Sequence, residues 1–193
     1  MASDSLGPLL LDLTSGDDEA AERAAKLLAA QGEAALPALR DLLSATDEDS
    51  RWWALRALAE NPAEGAAAAL RQALDDPSPA VRQAALLGLR LHPQAESIPA
   101  LARRLEDEDS LCAAMAADAL AALGSEAVDM LIEVLANGSF PAQVQSARAL
   151  AEIGDPRAIP ALFAASEQGS SLLDYWTSIG FEKMGVGTVY FKP

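Results

Sequence analysis

Apolar residues recur along this chain at helical spacing, and the helices recur at a nearly fixed interval. One stretch places them at Val81, Ala84, Ala85, Gly88 and Leu89, another at Cys112, Met115, Ala116, Ala119, Leu120 and Leu123. Positions i, i+3, i+4 and i+7 fall on one side of an α-helix, so each stretch predicts a helix with one buried stripe. Aligning these helices gives a column of Leu28, Leu58, Leu89, Leu120 and Leu150, at spacings of 30, 31, 31 and 30 residues. A second helix follows each, over roughly Leu36–Leu43, Ala66–Leu74, Ile98–Leu105, Ala127–Leu135 and Ile159–Ala165. Pro37, Pro99 and Pro160 stand two residues before Leu39, Leu101 and Leu162. The missing amide of proline costs nothing in the first turn of a helix.

The turns agree with this reading. Ser78 before Pro79 predicts an N-cap, and Asp49, Ser50, Asp109 and Ser110 offer similar caps. Gly32, Gly124 and Gly154 close first helices, where a left-handed residue is favoured. A pair of helices this short cannot bury its own stripe, so successive pairs must stack. The expected organisation is one all-α domain over residues 1–184. It begins with a half-repeat cap at 6–13. Repeats follow at about 17–46, 47–74, 75–105, 106–135 and 136–166, then an incomplete one at 167–184. In that last helix Trp176 aligns with the Leu column, and its partner helix is missing or very short. Residues 185–193 change to Gly-rich, β-branched and aromatic, which reads as an extended tail.

Composition narrows the fold class and the partners. Ala and Leu supply 73 of the 193 residues while Phe, Trp and Tyr make up 5%, which favours helix over sheet. Net charge is −15, from 29 acidic and 14 basic residues. That balance disfavours nucleic acid and anionic lipid, both of which bind through clustered Lys and Arg. One cysteine leaves no internal disulfide and no Cys-rich metal site. No apolar run reaches the length of a membrane span, and the N-terminus shows no secretory pattern, so a cytoplasmic location is expected.

The segments DPSPAVRQAALLGL at 76–89, SIPALARRL at 97–105 and ARALAEIGDPRAIPAL at 147–162 resemble HEAT-like repeats of the short bacterial type. Such repeats occur in phycobilin lyase subunits, and the resemblance covers roughly residues 6–180. It implies an α-solenoid of stacked antiparallel helix pairs. The departures lie at the Val81-Arg82 pair, which is Ser50-Arg51 one repeat earlier and Cys112-Ala113 one later. They weaken any regular ladder of arginines.

Stacked helices offer a long surface, formed mainly by the second helices. Solvent-facing positions there are Arg40, Arg71, Arg103, Arg104 and Glu133. The reading is a non-enzymatic protein-binding scaffold or adaptor, with no catalytic, cofactor or metal site. Acidic clusters at the junctions, among them Asp107, Glu108 and Asp109, exceed what capping requires. Capping and solvation explain most of them, and a basic protein partner is the functional reading. Calcium is disfavoured, because the glycine and distal glutamate of a calcium loop are absent. Trp53 matches the inward column held by Ala84 and Met115, which places Trp52 at the flank, packed on a neighbouring repeat or anchoring a partner. His92, the only histidine, and Cys112 both read as structural. The resemblance also implies an alternative, an accessory subunit of a bilin lyase or isomerase, with Arg71, Arg103 and Arg104 meeting bilin propionates. A HEAT-like DNA glycosylase needs a basic concave face, which a charge of −15 opposes.

Overall fold

The structure, a computed structural model, describes residues 6–186. Among these residues there are twelve α-helices and no strand. In chain order they are α1 (Leu6–Leu13), α2 (Asp18–Ala29), α3 (Leu36–Leu42), α4 (Glu48–Leu58), α5 (Ala66–Gln72) and α6 (Pro79–Leu91). Then come α7 (Ile98–Arg104), α8 (Ser110–Ala122), α9 (Val128–Asn137), α10 (Phe140–Ile153), α11 (Ile159–Ser166) and α12 (Ser171–Lys183). Five of them match the second helices expected from the spacing to within one or two residues. The expected tail lies, from residue 187 on, outside the described residues.

The chain divides into two compact units, one reaching to His92 and one starting at Pro93. In the first unit α1 packs on α2, α3 on α4 and α5 on α6, and α4 lies between α2 and α6. In the second, α7 packs on α8, α9 on α10 and α11 on α12, with α10 between α8 and α12. Each unit thus holds three pairs. The helix at 6–13 packs on α2, and α12 packs on α11. Periodicity locates a helix but does not say whether its closer partner precedes or follows it.

Two columns of leucine fill the cores. Leu28, Leu58 and Leu89 in the first unit, and Leu120 and Leu150 in the second, are each at most 1% exposed. Leu39, Leu70, Leu101, Leu131 and Leu162 are fully buried on the partner helices at the same interval. A column of small residues lets the longer helices approach: Ala54 and Ala85, then Ala116 and Ser146. This corrects the expected inward column, because Trp53, Ala84 and Met115 are only half-buried, one position to the side. The register of α12 is corrected too. Leu173, Thr177 and Gly180 are its buried residues, and Trp176 is half-exposed. Backbones approach so closely here that a Cβ on Gly180 would lie 3.1 Å from Leu162 Cδ1, and one on Gly88 would lie 2.7 Å from Leu70 Cδ2.

The helix ends are tied off locally and across repeats. Asp17, Asp47 and Asp109 accept backbone amides at the starts of α2, α4 and α8. Asp49 and Ser50 therefore lie inside α4 instead of capping it, and Ser78 stands at its N-cap position without a side-chain cap bond. Gly32, Gly124 and Gly154 do adopt left-handed φ values of 54°, 62° and 71°. Polar side chains then reach back one repeat to carbonyls at or just after the previous helix ends. Asn61 Nδ2 donates to Gly32 O at 3.1 Å, and His92 Nε2 lies 2.7 Å from Ala59 O. Arg157 donates to Ser125 O at 2.6 Å, and Lys183 donates to Glu152 O. Carbonyls at helix ends lack intrahelical donors, and these side chains supply donors there, with Gly32 O accepting the Ala35 amide as well.

Candidate functional site

The second helices of the C-terminal unit frame a groove of about 370 Å³ between α7 and α9. Pro99 and Ala102 of α7 and Met130 and Val134 of α9 give it an apolar floor. Met130, Val134 and Asn137 fall at i, i+4 and i+7, so one side of α9 supplies an entire wall. Arg103 and Glu133 stand exposed on opposite rims. Among the described residues Arg103 makes only a long 3.4 Å contact to the Pro99 carbonyl of its own helix. The Glu133 carboxylate makes no hydrogen bond or ion pair among the described residues. Glu106, also on the rim, is spent: its carboxylate accepts the Ser139 amide at 2.8 Å and the Ser139 hydroxyl, tying the α7–α8 junction to the start of α10.

The other residues singled out from the sequence have structural partners or belong to the other unit. Arg104 is half-buried and pairs with Asp107 at 3.4 Å. The Asp107 carboxylate is buried and accepts the Asp109 amide at 3.0 Å, while Asp109 caps α8 through the Cys112 amide at 2.8 Å. Glu108 is exposed beside them. Two of these three acids therefore build the junction. Arg71 and Trp52 lie in the N-terminal unit, both half-buried, and the Trp52 ring meets Trp53 edge-on at 4.8 Å. Arg40 there is exposed yet donates to the Gly65 carbonyl at 2.9 Å.

One ion pair shows how the first unit uses its charges. Arg51 grips Asp76 with two bonds of 2.7 and 3.0 Å, and both side chains are nearly out of solvent. Burial pushes the Asp76 carboxyl up, but the Arg51 guanidinium and the Ser78 amide outweigh it and hold it below the usual carboxylate value. Arg51 is raised in turn, first by its bond to Asp76. Arg82, one repeat on, donates to the carbonyls of Asp76 and Pro77. The fourth repeat carries Ala113 at this position, and the Glu106–Ser139 clasp ties the following junction instead.

His92 is half-buried with its ring bound to a carbonyl, and Cys112 is fully buried. Among the described residues no group of three His, Cys, Asp or Glu side chains is arranged to hold a metal ion, and no helix is long and apolar enough to cross a membrane. Sequence reasoning found Arg103 and Glu133 but missed Met130, Val134 and Asn137. Their signal was the same i, i+4, i+7 spacing that elsewhere marks the core.

The family pattern of HEAT repeats matches residues 5–90 and 67–144. The chain belongs to the HEAT-repeat family. The PBS lyase HEAT-like repeat matches residues 142–167. No curated protein matches the sequence. Among solved structures, this HEAT-repeat chain is similar to an engineered protein, at 25% identity over 95% of this chain and 97% of that one, with a TM-score of 0.53. It is also similar to a designed armadillo repeat protein solved in complex with the peptide (KR)4, at 20% identity over 93% and 99% of the two chains, with a TM-score of 0.56. Similarity extends to the complex of CpcE and CpcF of phycocyanin lyase from Nostoc sp. PCC7120, at 21% identity over 98% and 78%, with a TM-score of 0.48. The armadillo likeness agrees with the packing described above: an α-solenoid class built from stacked helix pairs.

Proposed function

We propose that this HEAT-repeat chain is a non-enzymatic scaffold or adaptor that holds a protein segment in the α7–α9 groove. The observation that carries the reading is the pair of rim charges, Arg103 and Glu133, standing over an apolar floor with neither spent on the other. Folding alone gives no reason to place opposite charges there and leave them unpaired. An apolar floor supplies contact area, and a few placed polar groups fix orientation. The net charge of −15 favours a partner with a basic surface and steers it by long-range attraction. Glu133 then meets a basic side chain, Met130 and Val134 meet an apolar one, and Arg103 meets a carbonyl or carboxylate of the bound segment.

The test is selection of displayed peptides on the wild-type chain and on the double variant Arg103→Ala, Glu133→Ala. The expected result is enrichment of peptides combining basic and apolar residues, with binding weakened at least about tenfold in the variant, the equivalent of roughly 1.4 kcal/mol. Undiminished binding of the same peptides by the variant would overturn the groove as the site. Nanomolar binding of duplex DNA at physiological salt would overturn the choice of partner class.

A second reading, an accessory subunit of a bilin lyase or isomerase, draws on the PBS lyase HEAT-like repeat at 142–167. Arg104 is already committed to Asp107, so Arg103 is the arginine at the groove free to meet a propionate. Visible absorbance after incubation with a bilin separates the two readings.

A further inference from the structure

The first helices of the C-terminal unit carry a bare apolar face, separate from the groove on its second helices. On α12 the buried side is Leu173, Thr177 and Gly180, which take the places of Ala142, Ser146 and Ala149 on α10. Beside it run Leu172, Tyr175, Trp176 and Ile179, at i, i+3, i+4 and i+7, so they share one side of the helix. The corresponding positions hold Pro141 and Val144 on α10 and Leu111 on α8, with Phe140 at the start of α10. Leu111, Phe140, Leu172 and Tyr175 are 53%, 47%, 52% and 58% exposed. The charges within the face cancel: the Arg148 guanidinium is bound to Asp118 at 2.6 Å and to the Ala114 carbonyl at 2.7 Å.

We infer that a second copy of the chain docks on this face, giving a two-fold dimer in which the two α12 helices run antiparallel. The inference goes beyond the groove reading and does not depend on it. Three observations carry it. The α12 stripe has the same character read in either direction, with aliphatic Leu172 and Ile179 at its ends and Tyr175 and Trp176 between them. An antiparallel copy sets Leu172 against Ile179 and Tyr175 against Trp176 beside the axis, which is the self-complementarity that an isologous contact requires. Charge points to the same face. Two copies at −15 each repel, and they meet most readily where the surface carries little net charge. The end of the stack does not offer that, since Asp174, Ser178 and Glu182 stand exposed where α10 has Gln143 and the buried Ala147 and Ala151. The area is also sufficient. An aromatic side chain carries roughly 150–250 Å² and a leucine somewhat less, so four such groups at half exposure, with their half-open neighbours, bare roughly 600 Å². Two such faces total roughly 1,200 Å², the lower end of what a stable specific interface buries.

Sedimentation equilibrium of the full chain at about 10–100 μM tests this, and a dimer is expected. Raising salt from about 50 to about 500 mM should tighten it, because salt screens the repulsion and leaves the apolar contact intact. Tyr175→Glu, at an exposed position and with helix content checked by circular dichroism, should weaken dimerisation at least about tenfold. Tyr175→Cys should form a disulfide between two chains across the axis, and the native Cys112 is buried and does not compete. The control Ser178→Cys, on the polar side, should cross-link far less. A monomer throughout this concentration range would overturn the inference. So would a dimer that survives Tyr175→Glu, that cross-links equally at both positions, or that weakens as salt rises.

Discussion

Two clefts built at the same level of the repeat put their charges to opposite uses. Arg40, Arg71, Ala102 and Glu133 follow one another at 31-residue intervals on the second helices, as do Ser44, Asp75, Glu106 and Asn137. Between α3 and α5 the cleft of about 260 Å³ is polar, lined by Arg40, Ser44, Gln72, Asp75 and Asp76. Its strongest charges close the structure: Arg40 on the Gly65 carbonyl, and Asp76 under the two bonds of Arg51. Between α7 and α9 the groove is larger and apolar at its base, and two of its charges face solvent. In the C-terminal unit α9 packs directly on both α7 and α11, which brings the apolar sides of the second helices together. A repeat architecture thus keeps one backbone and varies its chemistry at fixed positions, and a site shows itself where charges are not consumed by the fold.

The largest expected effects come from what both units share. Leu58→Ala and Leu120→Ala each remove a fully buried side chain, and each should cost about 2–5 kcal/mol in chemical denaturation. A loss below about 0.5 kcal/mol at either position would show that the two cores are not equivalent.

Next comes the ion pair of the first unit. Asp76→Asn should cost about 1.5–3 kcal/mol, since it weakens charge-assisted bonds at a site nearly out of solvent. Because the folded-state value of Asp76 is depressed, its contribution is present above the unfolded carboxylate value of about 3.9 and is lost as pH falls through the lower folded value. Acid titration of stability should therefore be shallower in Asp76→Asn below about pH 4. Parallel curves would remove the pair from the account.

The groove should respond in the opposite manner. Arg103→Ala and Glu133→Ala should each change stability by less than about 0.5 kcal/mol, because neither charge is used in folding. A loss above about 1 kcal/mol in thermal or chemical unfolding would mean that these charges are structural after all, as in the first unit.

The smallest effect concerns Ser146. Its hydroxyl is fully buried with no hydrogen-bond partner among the described residues, at a position where other repeats carry Ala54, Ala85 and Ala116. Ser146→Ala should be neutral or stabilising by up to about 1 kcal/mol, and a clear destabilisation would reveal a bond to the hydroxyl.

Much of the fold was legible in the leucines, because a fully buried branched side chain at a fixed interval admits few other meanings. The columns at Leu58 and Leu120 fell where the spacing put them. Small and aromatic residues were harder to read. Alanine occupies both seams and flanks, so Ala84 looked inward when Ala85 was. Trp176 drew the alignment by its size, when the position that contacts α10 and α11 is Gly180, chosen for having no side chain. In the groove, Arg103 and Glu133 were legible because charge at a solvent position stands out. Met130 and Val134 were not, since an apolar residue on a helix is read as core until the neighbouring helix is seen to leave it open.

The bonds that reach back one repeat have a consequence for how such a chain can change over evolutionary time. Asn61, His92, Arg157 and Lys183 each fasten onto a main-chain carbonyl, a group every residue possesses. The fastener needs no matching side chain on the repeat it grips. A duplicated or deleted repeat would find an acceptor already waiting at its new neighbour, whatever that neighbour's sequence. The joint is generic while the surfaces it joins are free to diverge, so length and binding chemistry can vary independently by copying and editing one segment of about thirty residues.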